Sequence, residues 1–182
     1  ELAQEQRAKA KADHLAKAGS SWADNSIKVD AEKTVFTGYT DFTAEAEILA
    51  IYKDGAEVDS ANEGEDVVIV LDKTPFYAES GGQVGDTGKI VTNEATFAVS
   101  GTTKTEDGHY LHVGTVEEGT LRTGDTAQAS ICKKTRMATM KNHTSAHILQ
   151  AVLREVLGDH VHQAGQLVNG DRCRFDFSHF SA

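Results

Sequence analysis

Between Ile27 and Ile131 the chain consists of short strand-forming runs broken by Gly, Asp and Asn turns. The runs are Val35-Phe36-Thr37, Ala46 to Tyr52, Val67 to Leu71, Lys89-Ile90-Val91, Thr96 to Val99, Tyr110 to Val113 and Thr126 to Ile131. Lys53-Asp54-Gly55 and Glu106-Asp107-Gly108 have hairpin chemistry, because Gly and Asp tolerate the positive φ that tight connections need. Strands this short, joined this closely, predict a small antiparallel barrel, which leaves no open sheet edge.

After Ile131 the period changes. Ile148, Leu149, Val152, Leu153, Val156 and Leu157 recur at helical steps as far as Gly158, which predicts an amphipathic helix closed by that glycine. Strand candidates follow at Ala164 to Val168 and Arg172 to Phe177. His143, His147, Gln150 and Arg154 fall on a second stripe, expected to face a site or solvent while the apolar stripe faces a core.

Two imidazoles at i,i+4 point at one place, so one reading of His143 and His147 is a metal pair. The other is a polar helix face that carries two histidines. A helical zinc protease needs glutamate directly after its first histidine, and Thr144 stands there instead. Structural zinc wants four ligands, and the only thiols are Cys132 and Cys173. With no framework spacing these two read as small buried hydrophobes in a reducing compartment rather than as a disulfide.

Length permits one or two domains with a real core. No segment approaches the roughly 20 apolar residues of a membrane helix, and Glu1-Leu2-Ala3-Gln4-Glu5-Gln6-Arg7 lacks secretory signal design, so the expected compartment is the cytoplasm. A net charge of -10 argues against indiscriminate nucleic-acid binding. The charge is uneven, however. No acid lies between Ile131 and Arg154, where Lys133, Lys134, Arg136, Lys141 and Arg154 bring positive charge to the histidine pair. Either a nucleic-acid backbone approaches there or the lysines are ordinary solvated charges.

Residues 1–18 are rich in helix-forming Ala, Gln, Glu, Lys and Arg, and Gly19-Ser20-Ser21 ends the run. With little apolar face, such a helix reads as the end of a preceding domain or as a connector, and the chain as part of something larger. Within the strand-rich region, Thr74-Pro75-Phe76-Tyr77-Ala78-Glu79-Ser80-Gly81-Gly82-Gln83-Val84-Gly85-Asp86-Thr87-Gly88 holds the only proline. It is not a phosphate loop. The spacing from Gly82 to Gly88 is one residue too long, and Lys89 is followed by Ile90 rather than a hydroxyl residue. Gly81-Gly82 then marks either a plain hairpin loop or a turn that lets a substrate backbone pass close.

Three stretches together resemble the editing region of bacterial alanyl-tRNA synthetases: Thr74 to Gly88, Asn142-His143-Thr144-Ser145-Ala146-His147, and His162-Gln163-Ala164-Gly165-Gln166-Leu167-Val168 followed by Arg174-Phe175-Asp176-Phe177-Ser178-His179-Phe180. The resemblance covers nearly the whole chain. It implies an α+β fold with an N-terminal helix, a small antiparallel β-barrel and an incomplete α/β editing core of the threonyl/alanyl-tRNA synthetase type. The implied divisions are 1–24, the trailing helix of a tRNA-recognition domain; 25–132, the barrel; and 133–182, the start of a zinc-dependent core.

The implied activity is hydrolysis of serine or glycine wrongly esterified to tRNA for alanine. A pocket sized for alanine admits glycine, and an added hydroxyl is rejected only about a hundredfold by binding in a comparable case. The resemblance assigns His143 and His147 to a zinc set, Gln163 to the editing pocket as a catalytic positioning residue, and Gly81, Gly82 and Thr144 to the substrate, whose acceptor end is the partner. Without it, Gln163 reads as a hinge-loop amide bonded to its own backbone. ATP and magnesium would serve aminoacylation chemistry placed before Glu1, in the remainder of the parent chain.

Two departures matter. The family's second metal pair, a cysteine and a histidine, is expected after Phe180, so zinc binding by this chain should be weak or absent. Ala146 stands where many relatives carry threonine, which removes a hydroxyl near the substrate and leaves Thr144 as the nearby alternative. The rival readings are a noncatalytic tRNA-positioning barrel and a free-standing editing hydrolase. The opening helix favours the synthetase over the latter.

Overall fold

The computed structural model describes residues 27–180. The trailing helix expected over 1–24 lies outside the described residues. In chain order the elements are β1 Val35–Phe36, β2 Thr43–Lys53, β3 Ala56–Val58, β4 Ser60–Asn62, β5 Asp66–Leu71, β6 Lys73–Thr74, β7 Gly88–Val91, β8 Ala95–Lys104, β9 Tyr110–Arg122, β10 Thr126–Ile131, α1 Lys133–Leu157, β11 Gln163–Val168 and β12 Cys173–Phe177. The fold is α+β, as expected.

Six strands close a barrel in the order β10-β7-β8-β9-β5-β2, and β10 returns to β2 with Thr126 opposite Glu47 and Ser130 opposite Thr43. Every neighbouring pair in this circuit is antiparallel. At the Asp54-Gly55 turn, φ values of 51° and 79° match the two positive-φ residues of a type I′ hairpin, and β3 folds back on β2. Sequence reasoning missed β3, β4 and β6, which are three residues long or shorter, and it shortened β8 and β9.

The interior is filled by Ile48, Ile51, Val67, Ile69, Leu71, Ile90, Phe97, Val99, Val116 and Leu121, with Ala46, Ala127 and Ala129 where the wall leaves less room. Small and large residues together fill a barrel this narrow. Phe76, from the loop after β6, is fully buried among them and meets the His112 ring edge-on at 5.2 Å. The run Val67 to Leu71 is apolar at every position because β5 is covered on both faces. Val67, Ile69 and Leu71 face the interior, while Val68 and Val70 join Ile27, Ala50, Tyr52 and Leu111 in a second cluster.

Two expectations require correction. The apolar stripe of α1 does not meet a core: Ile148, Leu149, Val152 and Val156 are 60%, 41%, 47% and 73% exposed. The helix packs instead on the two-stranded β11–β12 hairpin, and its buried residues are Arg136, Thr139 and Ala146. Two strands cover only one flank of a helix of this length. Cys132 is also not a buried hydrophobe. It sits exposed at the start of α1, and a 3.2 Å hydrogen bond from the Thr135 hydroxyl holds its thiol below the ordinary range.

No helix among the described residues is long and apolar enough to cross a membrane.

Candidate functional site

The first turn of α1 is rooted in the glycine-rich loop. Arg136 and Asp86 are 5% and 7% exposed and form a buried ion pair, with Arg136 Nε 3.0 and 2.8 Å from the two carboxylate oxygens and Nη2 also on Oδ2. The remaining guanidinium donors reach the carbonyls of Gly38 at 2.8 Å and Pro75 at 2.9 Å. Asp86 in turn accepts the Tyr77 N–H at 2.8 Å. A buried pair this fully bonded fixes the helix start against the barrel.

Two helical turns beyond Arg136, on the same face, His143 places Nδ1 2.7 Å from Oε1 of Gln83. His147 follows one turn later, with the two imidazole centroids 4.9 Å apart and their planes 41° to each other. Gln83 closes the turn Ser80-Gly81-Gly82-Gln83, in which the Ser80 and Gln83 backbones exchange hydrogen bonds of 3.1 and 2.9 Å. Gly81 and Gly82 have φ of 58° and 79°, again the type I′ pattern.

The turn is docked on β11. The Val168 N–H donates to Gly82 O at 2.7 Å, the Val84 N–H donates to Val168 O at 3.0 Å, and the Gln166 amide donates to Gly81 O. A Cβ on Gly82 would lie 2.5 Å from both Cγ and the carbonyl oxygen of Gln166, so this position admits only glycine on steric as well as φ grounds. Asn142 adds a tie from α1 to the hairpin, donating to Asn169 O at 2.8 Å. Barrel loop, helix and hairpin therefore meet at one place.

Of the residues singled out in the sequence, His143, His147, Gly81 and Gly82 are brought together. Thr144 is exposed beside them, and its hydroxyl donates to Met140 O at 3.0 Å. Gln163 is exposed at the start of β11, opposite Phe177, and no hydrogen bond among the described residues links it to the cluster. Sequence reasoning missed Gln83, Asp86, Arg136 and Gln166. An isolated Asp in the loop and an Arg in the first turn of α1 were the available signals, but Arg136 was read as surface charge. Arg136 is in fact neutralised by Asp86, so the positive field around the histidines rests on fewer side chains than the five counted. Lys133 lies over the Phe42 ring at 4.8 Å, and Arg154 pairs with Asp159 at 3.2 Å on the surface.

The donor set can be tested for zinc. Gln83 engages Nδ1 of His143 and leaves Nε2 for a metal, the arrangement by which an outer partner orients a histidine ligand. Yet no group of three or more His, Cys, Asp or Glu residues that could hold an ion occurs among the described residues. Two imidazoles fit half of a zinc set, since catalytic sites use three protein ligands and structural sites four.

A family model described as tRNA synthetases class II (A) matches residues 1–135, ending in the first turn of α1. The chain is 53% identical over 175 residues to the alanine–tRNA ligase of Acetivibrio thermocellus, covering 95% of this chain and 20% of that protein. It is 51% identical over 156 residues to the alanine–tRNA ligase of Pseudomonas syringae pv. syringae, covering 86% and 18% respectively. Against the alanine–tRNA ligase of Polaromonas naphthalenivorans the identity is 46% over 175 residues, covering 96% and 20%. The chain thus spans about a fifth of the length of the curated relatives it matches. It belongs to the class II (A) tRNA synthetase family and corresponds to a segment of the alanine–tRNA ligases.

Proposed function

We propose that this chain forms part of the editing site of an alanine–tRNA ligase, where serine or glycine esterified to tRNA for alanine is hydrolysed. The observation that carries the reading is the junction of His143 and His147 with the Gly81-Gly82 turn through Gln83 at 2.7 Å. In this reading residues 1–24 end the tRNA-recognition part, 25–132 form the barrel subdomain and 133–182 begin the editing core. ATP, magnesium and the aminoacylation reaction belong to the whole ligase, which acts in the cytoplasm, and the acceptor end of the tRNA is the partner of this segment.

The chemistry is ester hydrolysis. Water oxygen adds to the ester carbonyl carbon, and the ribose oxygen leaves with a proton, giving free amino acid and intact tRNA. Gly81 has no side chain and faces open space, while Gly82 is packed on Gln166, so a ribose-phosphate backbone passes over the Gly81 side of the turn close to the histidine pair. Gln163 positions either the attacking water or the ester carbonyl through its amide. Thr144 donates its proton to Met140 O, which leaves its oxygen to accept a hydrogen bond from the hydroxyl or ammonium of the amino acid. His143 and His147 would hold zinc through ring nitrogens, weakly until further donors completed the set, and a metal bound there would supply Lewis-acid polarisation of the ester carbonyl.

The test is deacylation of seryl-tRNA for alanine by the whole ligase carrying His143→Ala or His147→Ala. The expected result is loss of deacylation while alanine attachment continues. Undiminished deacylation in both variants would remove the histidine pair from the chemistry and leave the barrel as a tRNA-positioning module.

A further inference from the structure

A hollow of about 400 Å³ opens on the barrel wall next to the glycine turn, lined by Tyr39, Tyr77, Glu79, Lys104, Glu106 and Tyr110 among others. Its volume lies within the range of small-molecule sites, about 300–1,000 Å³. Three aromatic rings converge on Phe36: Tyr110 stacks on it at 5.5 Å, Tyr39 meets it edge-on at 5.0 Å, and Tyr77 does so at 6.3 Å. Lys104 Nζ lies 5.2 Å from the Tyr110 centroid. Tyr39 is 89% exposed while its ring edge rests on Phe36, which leaves aromatic surface open to a ligand. Burial, then the neighbouring phenols of Tyr39 and Tyr77, pushes the Tyr110 phenol above its ordinary value, so the group stays neutral.

The charges select the ligand. Glu79 and Glu106 outnumber Lys104 in the lining, which disfavours phosphate and favours N–H donors. A flat ring with an exocyclic amine satisfies both the aromatic surfaces and the carboxylates, as adenine and cytosine do and uracil does not. Ser80 also lines the hollow and opens the turn that ends at Gln83, the residue bonded to His143. A base seated here would be adjacent to the proposed ester site. We infer that the hollow binds an unpaired, amino-bearing nucleobase from the single-stranded end of an RNA, stacked on Tyr39. The choice of RNA rests on the editing reading; the base-binding chemistry rests on the hollow alone.

The experiment follows tyrosine-ring NMR signals of this chain titrated with adenosine, uridine and the single-stranded ribotrinucleotide CCA. Adenosine and CCA are expected to shift Tyr39, with uridine weaker. Tyr39→Ala, at an exposed ring whose loss leaves the barrel core intact, should weaken adenosine and CCA about tenfold, the size of a base–aromatic stack. Glu79→Gln with Glu106→Gln should reduce the preference for adenosine over uridine. Absence of shifts, or equal affinity in Tyr39→Ala, would overturn the site. Binding of adenosine with exclusion of CCA would overturn its assignment to an RNA end. These outcomes are independent of seryl-ester deacylation in the whole ligase, so either reading can fail without the other.

Discussion

Nδ1 of His143 and Oε1 of Gln83 lie 2.7 Å apart, and this contact joins the helix to the barrel loop. An amide oxygen only accepts, so the ring nitrogen is the donor and the imidazole proton is fixed on Nδ1. Nε2 keeps its lone pair. Nitrogen-correlated NMR should therefore show His143 as the Nδ1–H tautomer, and Gln83→Leu should shift it towards the Nε2–H form that prevails for a free histidine side chain. Finding the Nε2–H form in the unaltered chain would refute this role for Gln83. The readout needs neither metal nor tRNA.

The two glycines of the turn should respond differently to substitution. Gly81→Ala meets open space and suffers only the positive φ, a cost of about 1–2 kcal/mol. Gly82→Ala adds a collision with the Gln166 backbone, and the turn must leave β11 to relieve it. Urea unfolding should record a loss of about 2–3 kcal/mol for the second variant. Amide exchange at Val168, which donates to Gly82 O, should accelerate only there. Equal protection of Val168 in both variants would show that the turn is not held by the hairpin.

Arg136 and Asp86 should be expensive to separate and cheaper to remove together. Arg136→Met leaves a buried carboxylate without its cation, at a cost of about 3–5 kcal/mol. Replacing both with apolar residues removes the uncompensated charge, although the carbonyls of Gly38 and Pro75 still lose their donors. The double variant Arg136→Met/Asp86→Leu should therefore be more stable than Arg136→Met alone in urea titrations. A double variant less stable than either single one would show that the hydrogen bonds outweigh the charge pairing.

The barrel was legible in the sequence because each of its six strands must present apolar residues inward, and runs such as Val67 to Leu71 and Thr126 to Ile131 record that demand. β3, β4 and β6 were not, since they owe their pairing to β2, β9 and β1 rather than to any pattern of their own. The helical period of α1 predicted its extent to Gly158, where φ is 111°, but periodicity names a face without naming what covers it. That explains the exposure of Val152 and Val156. At the site, i,i+4 spacing was enough to pair His143 with His147. Gln83 stands inside the glycine-rich run, but its role was not legible because the imidazole it meets lies 60 positions away in sequence. Arg136 was misread because a charged residue in an acid-free stretch looks solvated until its distant partner, Asp86, is seen.

His112 makes the barrel sensitive to acid. Its ring is fully buried, with Nδ1 2.9 Å from Ile69 O and Nε2 2.7 Å from the Thr74 hydroxyl. The carbonyl can only accept, so Nδ1 carries the proton and Nε2 accepts from Thr74. Burial pulls the pKa from 6.5 down to about 4, opposed only in part by the Ile69 carbonyl and unaided by any charged neighbour. The folded state therefore binds fewer protons than the unfolded state between these two values. Stability from this group is complete above about pH 6.5 and declines as the pH falls towards 4. The whole shift is worth about 3 kcal/mol. Urea unfolding across that window should show the decline in the natural chain. His112→Gln should be less stable at pH 7, where it disturbs a bonded core position, yet should lack this part of the acid slope. Parallel slopes in the two proteins would mean that the His112 ring takes up its proton without unfolding, and that the barrel interior admits water beside Phe76.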